Sequence, residues 1–290
     1  MNLLIVIGLP VVLILILWLF AIAPKAFKGP PRDHFVSYDY AHRGLHNDQR
    51  GIPENSLAAF RTAAQSGFGI ELDVQLTRDH QVVVFHDENL KRVCGVDAKV
   101  GALTLSQLRQ YRLLNTKEGI PTLRQALMSV GGRTPVIVEL KSYDAPGLLC
   151  SRVSEILDDY QGRSCIQSFN PSIVKWFQDH RPDILRGQLM MHIEETEQLS
   201  KFQAFLGRNL FSNFMTRPHF VAYDYHTRNV PSMWLAKTVL GLQEVSWTVT
   251  DLQTYRRLKA RNCVIIFEGF EPYRETKAVP VPPVPTAAKT

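Results

Sequence analysis

Residues 69–87 read GIELDVQLTRDHQVVVFHD, two apolar runs with a polar turn between them and charged residues at their ends. In the first run Glu71 and Asp73 are two apart, so on a strand both side chains point to one face. The second run, Val82–Phe85, ends on His86-Asp87. Upstream, the strand-like stretch Val36–Ala41 closes on His42-Arg43-Gly44, and Pro53-Glu54-Asn55-Ser56 opens a helix soon after. Downstream, Pro135–Leu140 carries Glu139 and is followed by Lys141, again two apart. Polar residues of this kind at the ends of buried strands are the parts for metal-assisted chemistry on a phosphate ester.

Working outward, Ser164–Gln167, Gly187–Met190, Phe220–Tyr223, Glu244–Val249 and Val264–Phe267 also read as strands. Helical stretches are expected over Ser56–Ser66, Ser106–Leu114, Thr122–Val130, Gly147–Tyr160, Ser172–His180 and Asp251–Arg261. Asn55 or Ser56 would cap the first of these, Ser106 the second and Asp251 the last. Repeated strand–helix alternation with β-branched strands predicts a parallel sheet with helices outside. The number of units suits a TIM (β/α)8 barrel, which takes roughly 250 residues. A doubly wound sheet would carry a glycine-rich phosphate loop after its first strand, and there is none. His42, Glu71, Asp73, His86, Glu139 and Lys141 all fall at carboxyl ends of strands, the face on which barrels keep their chemistry.

The 290 residues suffice for one large domain with a core. Hydrophobic residues make up 45%, charged residues 21%, and the net charge is +6. The basic residues are scattered, and without a dense Lys/Arg block no nucleic-acid partner is expected. Cys94, Cys150, Cys165 and Cys263 are too widely spaced for a zinc site or a disulfide framework and read as free thiols. Leu3–Ala23 is an uncharged run of 21 residues, which predicts a transmembrane helix at 1–23. A cleaved signal peptide is the rival reading, but no basic residue precedes the run. Lys25, Lys28 and Arg32 follow it, so a single-pass N-terminal anchor with a cytoplasmic catalytic domain is expected, and the membrane as a partner. A linker at 24–35, the barrel at 36–277 and a Pro-rich tail at 278–290 complete the expected organisation.

Three oxygen donors at a barrel mouth suit a divalent metal, Mg2+ or Ca2+, with water and a phosphate completing its shell. Glu71, Asp73 and Glu139 supply them, although acids at exposed strand ends also form plain surface ion pairs. His42 and His86 are the candidate acid and base, since imidazole serves either role near neutral pH. Arg43 offers a fork for phosphate oxygens and Lys141 a point charge. The remaining histidines, His46 and His219 among them, read as surface or core residues.

His42-Arg43-Gly44, then Pro53-Glu54-Asn55-Ser56, Glu71-Leu72-Asp73, Thr77-Arg78-Asp79 and Val82–Asp87 resemble the glycerophosphodiester phosphodiesterase family. Val138–Lys141, Gln167-Ser168-Phe169-Asn170 and Trp247-Thr248-Val249 continue the likeness, which covers about Tyr38 to Phe270. The resemblance implies a TIM barrel that hydrolyses a phosphodiester to an alcohol and a phosphomonoester with the help of a metal. It implies Glu71, Asp73 and Glu139 as metal ligands, His42 and His86 as the acid/base pair, and Arg43 and Lys141 on the phosphate. It places His86 near the metal as well, Asn55 in contact with the site and Trp247 at the substrate mouth; an indole on a strand is as often core. The chain departs from the pattern at Thr250 and at Ile266-Phe267-Glu268-Gly269-Phe270, positions expected at the rim. Glu88 to Pro121 reads as a shortened insertion, little beyond a loop and one helix, that leaves the mouth open. Phe211, Phe214 and Phe220 offer either an apolar lip for an acyl chain or ordinary core. The expected substrate is a glycerophosphodiester, with a lysophospholipid, cleaved as by a lysophospholipase D, as the alternative. A barrel that has lost turnover would lack a histidine or an acid, and none is missing.

Overall fold

The computed structural model describes residues 3–25, 29–141, 145–190 and 201–272. Its nine strands are β1 (Tyr40–Ala41), β2 (Gly69–Leu76), β3 (Val82–Val84), β4 (Val136–Leu140), β5 (Ser164–Ser168), β6 (Leu185–Met190), β7 (Phe220–Asp224), β8 (Gln243–Val249) and β9 (Val264–Phe267). Eight of them pair in parallel around a closed ring, because β1 bonds to both β9 and β2. β3 turns back antiparallel on β2 and stands outside the ring. This is a TIM barrel, as the alternation of strands and helices predicts.

Local chemistry explains most element ends. Ser56 caps the helix Leu57–Gln65, its hydroxyl accepting from the Ala59 amide at 3.1 Å. Thr122 and Gln125 form a capping box on Leu123–Val130, and Asp251 caps Leu252–Lys259. One expected cap moves. Thr104, not Ser106, starts the helix Leu105–Leu108, because Gln107 at the third position completes its capping box.

The floor of the barrel is apolar. Val36 was expected to begin a strand, but Asp33–Val36 makes a single helical turn instead. That turn delivers Phe35 beneath the barrel, stacked on Phe220 with centroids 4.5 Å apart and tilted against Tyr40. Gly187 makes room for Phe220, since a Cβ there would sit 2.0 Å from its ring. Phe220 is therefore floor, not lip. Phe214 lies on the short helix before β7 and packs edge-on against Phe20, and Phe211 stacks on Phe205. No acyl-chain lip is formed by these three phenylalanines, because the chain reaches them on its way into the bottom of β7.

The expected membrane anchor is not borne out: among the described residues no helix is long and apolar enough to cross a membrane. The helix Leu3–Ile22 instead docks on the barrel at its C-terminal end. Ile22 is fully buried against Val221, Tyr223 and Met233. Its carbonyl accepts from Asn213 Nδ2 at 2.9 Å, and Arg217 Nη1 donates to the Phe20 and Ala23 carbonyls. The helix end is thus satisfied by protein groups. With the anchor fall the single-pass topology, the cytoplasmic placement derived from it and the membrane as a partner. The expected Pro-rich tail lies outside the described residues.

The segment between β3 and β4 is more than a loop. Its short turns enclose their own core of Val83, Phe85, Leu90, Val93, Val100, Leu108, Leu113 and Ile120, all buried.

Candidate active site

Strand register puts the acids together. Asp73 on β2 pairs with Glu139 on β4, and Glu139 with Gln167 on β5, so all three side chains enter the barrel in one row. Glu71 lies two residues below Asp73 on the same face. Carboxylate oxygens of Glu71, Asp73 and Glu139 lie within 4.8 Å of one another, all buried. Asn55, itself buried, donates from Nδ2 to Asp73 Oδ2 at 2.8 Å and so fixes that carboxylate from behind rather than lining the cavity.

The turn after β1 brings the cations. His42 continues the ladder through its amide to the Phe267 carbonyl, 2.9 Å. Arg43 then adopts φ 55°, a left-handed conformation that an unbranched residue accepts at some cost. In that conformation its amide donates to Glu71 Oε2 at 3.1 Å, and its side chain reaches Glu54 Oε1 at 2.9 Å and Asp73 Oδ2 at 3.5 Å. Gly44 follows with φ 81°, and a Cβ there would meet Ala59 Cβ at 2.8 Å, so this turn packs tightly on the helix behind it. From β4, the Lys141 ammonium pairs with Asp73 Oδ1 at 2.9 Å and with Glu139 Oε1.

The electrostatics are uneven. Burial raises the Glu71 carboxyl well above the ordinary range, and the neighbouring Asp73 and Glu139 charges push it further. Burial would raise Asp73 too, but Lys141, His86 and Arg43 together hold it below the ordinary range. Burial alone would lower Lys141, yet Asp73 and Glu139 keep it well above the usual lysine value. Glu71 Oε1 is buried with no hydrogen-bond partner. One more positive charge is what this donor set lacks, and oxygen donors of this kind fit a hard divalent cation.

Each histidine is held by a carboxylate on Nδ1. His42 meets Glu268 Oε2 at 2.6 Å and His86 meets Asp87 Oδ1 at 2.6 Å. Such a bond fixes the tautomer and the orientation of the ring. His42 Nε2 lies 4.0 Å from Glu71 Oε2. Burial lowers the His86 pKa, with Asp73 opposing and Lys141 and Arg43 reinforcing that shift.

A cavity of about 140 Å3 collects His42, Arg43, Glu71, Asp73, His86, Glu139, Lys141 and Trp247. Phe169, Leu189 and Ile266 give it an apolar wall, and Phe169 meets Trp247 edge to face at 5.6 Å. Three contributors are given no role in the sequence reading. Glu268, expected at the rim, orients His42, and it also pairs with His46 Nε2 at 3.4 Å. No local signal could have found it, since it stands 226 residues from His42. Asp87 was legible as the residue after His86. Gln167, part of a quoted motif but given no role, donates from Nε2 to Glu139 Oε2 at 3.5 Å, while its Oε1 is buried without a hydrogen-bond partner.

Comparison with known proteins agrees with this geometry. The Bacillus subtilis (strain 168) protein YhdW is 29% identical over 233 residues, which is 77% of this chain and 90% of that protein. Glycerophosphodiester phosphodiesterase 1 of Bos taurus is 27% identical over 257 residues, 76% of this chain and 73% of that one. An Oleispira antarctica phosphodiesterase, solved in complex with the product sn-glycerol-3-phosphate, superposes with a TM-score of 0.67 at 23% identity. That alignment covers 81% of this chain and 93% of the other, and it speaks for the fold. The profile of the Glycerophosphoryl diester phosphodiesterase family matches residues 42–268, from the first site histidine to the carboxylate that orients it, and the chain belongs to that family.

Proposed function

We propose that this cavity hydrolyses glycerophosphodiesters to glycerol phosphate and an alcohol. The observation that carries the reading is the buried triad of Glu71, Asp73 and Glu139 in one cavity with two carboxylate-oriented histidines. Glu71, Asp73 and Glu139 would hold the divalent cation, Mg2+ or Ca2+. When bound, that ion supplies charge stabilisation to the phosphoryl oxygens. Arg43 presents its guanidinium to the phosphate while Glu54 and Asp73 fix its direction, and Lys141 adds a point charge. Neutral His86, its pKa lowered by burial, suits the removal of a proton from the attacking hydroxyl or water. His42, backed by the Glu268 carboxylate, suits delivery of a proton to the leaving oxygen. Asn55 keeps Asp73 in place. Trp247 and Phe169 form the apolar side on which the alcohol would rest.

The test is turnover of glycerophosphocholine and lysophosphatidylcholine in parallel, with and without EDTA, with His42→Ala alongside. EDTA-sensitive, His42-dependent release of glycerol phosphate is expected. Turnover of the lysolipid alone would move the assignment to a lysophospholipase D, and turnover of neither with metal restored would overturn the substrate class.

A further inference from the structure

Arg92 does not line the cavity. It sits on the one-turn helix Lys91–Cys94 of the segment between β3 and β4, with its side chain 48% exposed. Its guanidinium nevertheless makes four hydrogen bonds to two acids. Nη1 and Nη2 donate to the two Glu54 oxygens, each at 2.8 Å. Nε and Nη2 donate to the two Asp87 oxygens, at 2.7 and 3.1 Å. Each of these acids holds a cavity residue in turn. Glu54 accepts from Arg43 Nη1 at 2.9 Å, and Asp87 binds His86 Nδ1 at 2.6 Å. An unbroken polar chain therefore runs Arg43–Glu54–Arg92–Asp87–His86.

We propose that Arg92 is a positioning residue for the hydrolytic reaction, fixing the phosphate-facing guanidinium of Arg43 and the imidazole of His86 relative to one another. This rests on the hydrolytic reading of the cavity. Planarity is what the role requires. Two bidentate forks on adjacent edges of one rigid group, sharing Nη2, hold two carboxylates at a set separation, which a lysine ammonium cannot do. Glu54 comes from the turn before the helix Leu57–Gln65 and Asp87 from the end of β3, so Arg92 is the tie between two separate loops of the mouth. Its own backbone is held by packing, because the flanking Leu90 and Val93 are buried in the segment's core. An isolated surface ion pair contributes little. Here the partners are only 14% and 25% exposed, and each already carries a hydrogen bond from the site. The inserted segment is then part of the catalytic frame and not an optional cover.

The experiment measures kcat and KM on glycerophosphocholine for the full chain, Arg92→Met, Arg92→Lys, Asp87→Asn and the Arg92→Met/Asp87→Asn pair, with melting temperatures alongside. Arg92→Met should lower kcat by about 10–100-fold, the usual cost of losing a group that orients a site residue. Arg92→Lys should recover only part of it. In the double variant the kcat losses should fall well short of multiplying, since both act through His86. Added guanidinium ion should restore several-fold activity to Arg92→Met, a response that a merely structural arginine would not produce. Losses that multiply independently and resist rescue would overturn the proposal. So would wild-type kcat in Arg92→Lys, which serves as the deciding variant if Arg92→Met does not fold. An inactive wild type would sink the hydrolytic assignment itself, whereas an active wild type with unaffected Arg92 variants would sink this inference alone.

Discussion

Two buried acidic clusters stand in the same barrel and are built to opposite ends. At the start of β8, Glu244 is fully buried, and both of its oxygens are paired: Arg228 binds through Nε and Nη2, and Lys237 donates at 2.7 Å. Burial would raise its pKa, but these partners pull it down to about 2. At the mouth, Glu71 is equally buried but has no such cation, and its carboxyl is pushed up instead. One cluster is neutralised by the protein and the other is left short of positive charge. Acids left short of positive charge cluster at working sites, and acids fully paired by the protein read as structural ones.

The largest effect expected from this contrast is on catalysis. His86→Ala should lower kcat by about 10^2–10^4-fold, the usual contribution of a positioned acid or base, with melting temperature nearly unchanged. Unaltered turnover in a steady-state assay would remove His86 from the mechanism. The structural cluster should respond in the opposite sense. Glu244→Gln leaves Arg228 and Lys237 half-buried and unpaired, and should cost about 3–5 kcal/mol of stability in denaturant unfolding while a folded fraction keeps its kcat. Glu71→Gln should abolish turnover, yet leave the metal-free protein as stable as wild type or more so. If both Gln variants destabilise alike, the distinction between the clusters fails.

Acid titration sharpens the same comparison. Glu244 has a folded pKa of about 2 against an ordinary carboxyl near 4.5, so the unfolded chain binds the proton more readily. Its contribution is complete above the unfolded value and is lost as pH falls towards 2, amounting to about 3 kcal/mol by linkage. Buried His219, whose pKa burial and then Arg186 lower to about 3, adds a loss of the same sign, beginning as pH drops below 6.5. Glu244→Gln should flatten the lower part of that stability curve and His219→Gln the upper part. The smallest effect concerns the wall: Trp247→Leu should raise KM a few-fold and leave kcat within about twofold, because it removes contact area and no charge.

Sequence alone was enough for most of what depends on near neighbours, though it misplaced the cap of Leu105–Leu108 and the turn Asp33–Val36. Period-two spacing put Glu71 and Asp73 on one face, apolar β-branched runs marked the strands, and Ser56 and Asp251 started helices by bonding their own third residue. The motifs from His42-Arg43-Gly44 to Asp87, with Val138–Lys141, then named the acids, histidines and cations that the barrel gathers in one cavity. Tertiary structure decided whatever depends on closure. Glu268 reaches His42 only because β9 lies beside β1, and Arg92 reaches Glu54 only across two loops. Phe220 became floor because Gly187 on the neighbouring strand vacates its place. The N-terminal helix, read as a membrane span from its composition, ends packed on the barrel with its last carbonyls bonded by Asn213 and Arg217. Hydropathy records that a segment avoids water, but not where it docks; only the fold shows that this helix meets the barrel through Ile22 and its last carbonyls while Leu9 to Leu17 stay exposed.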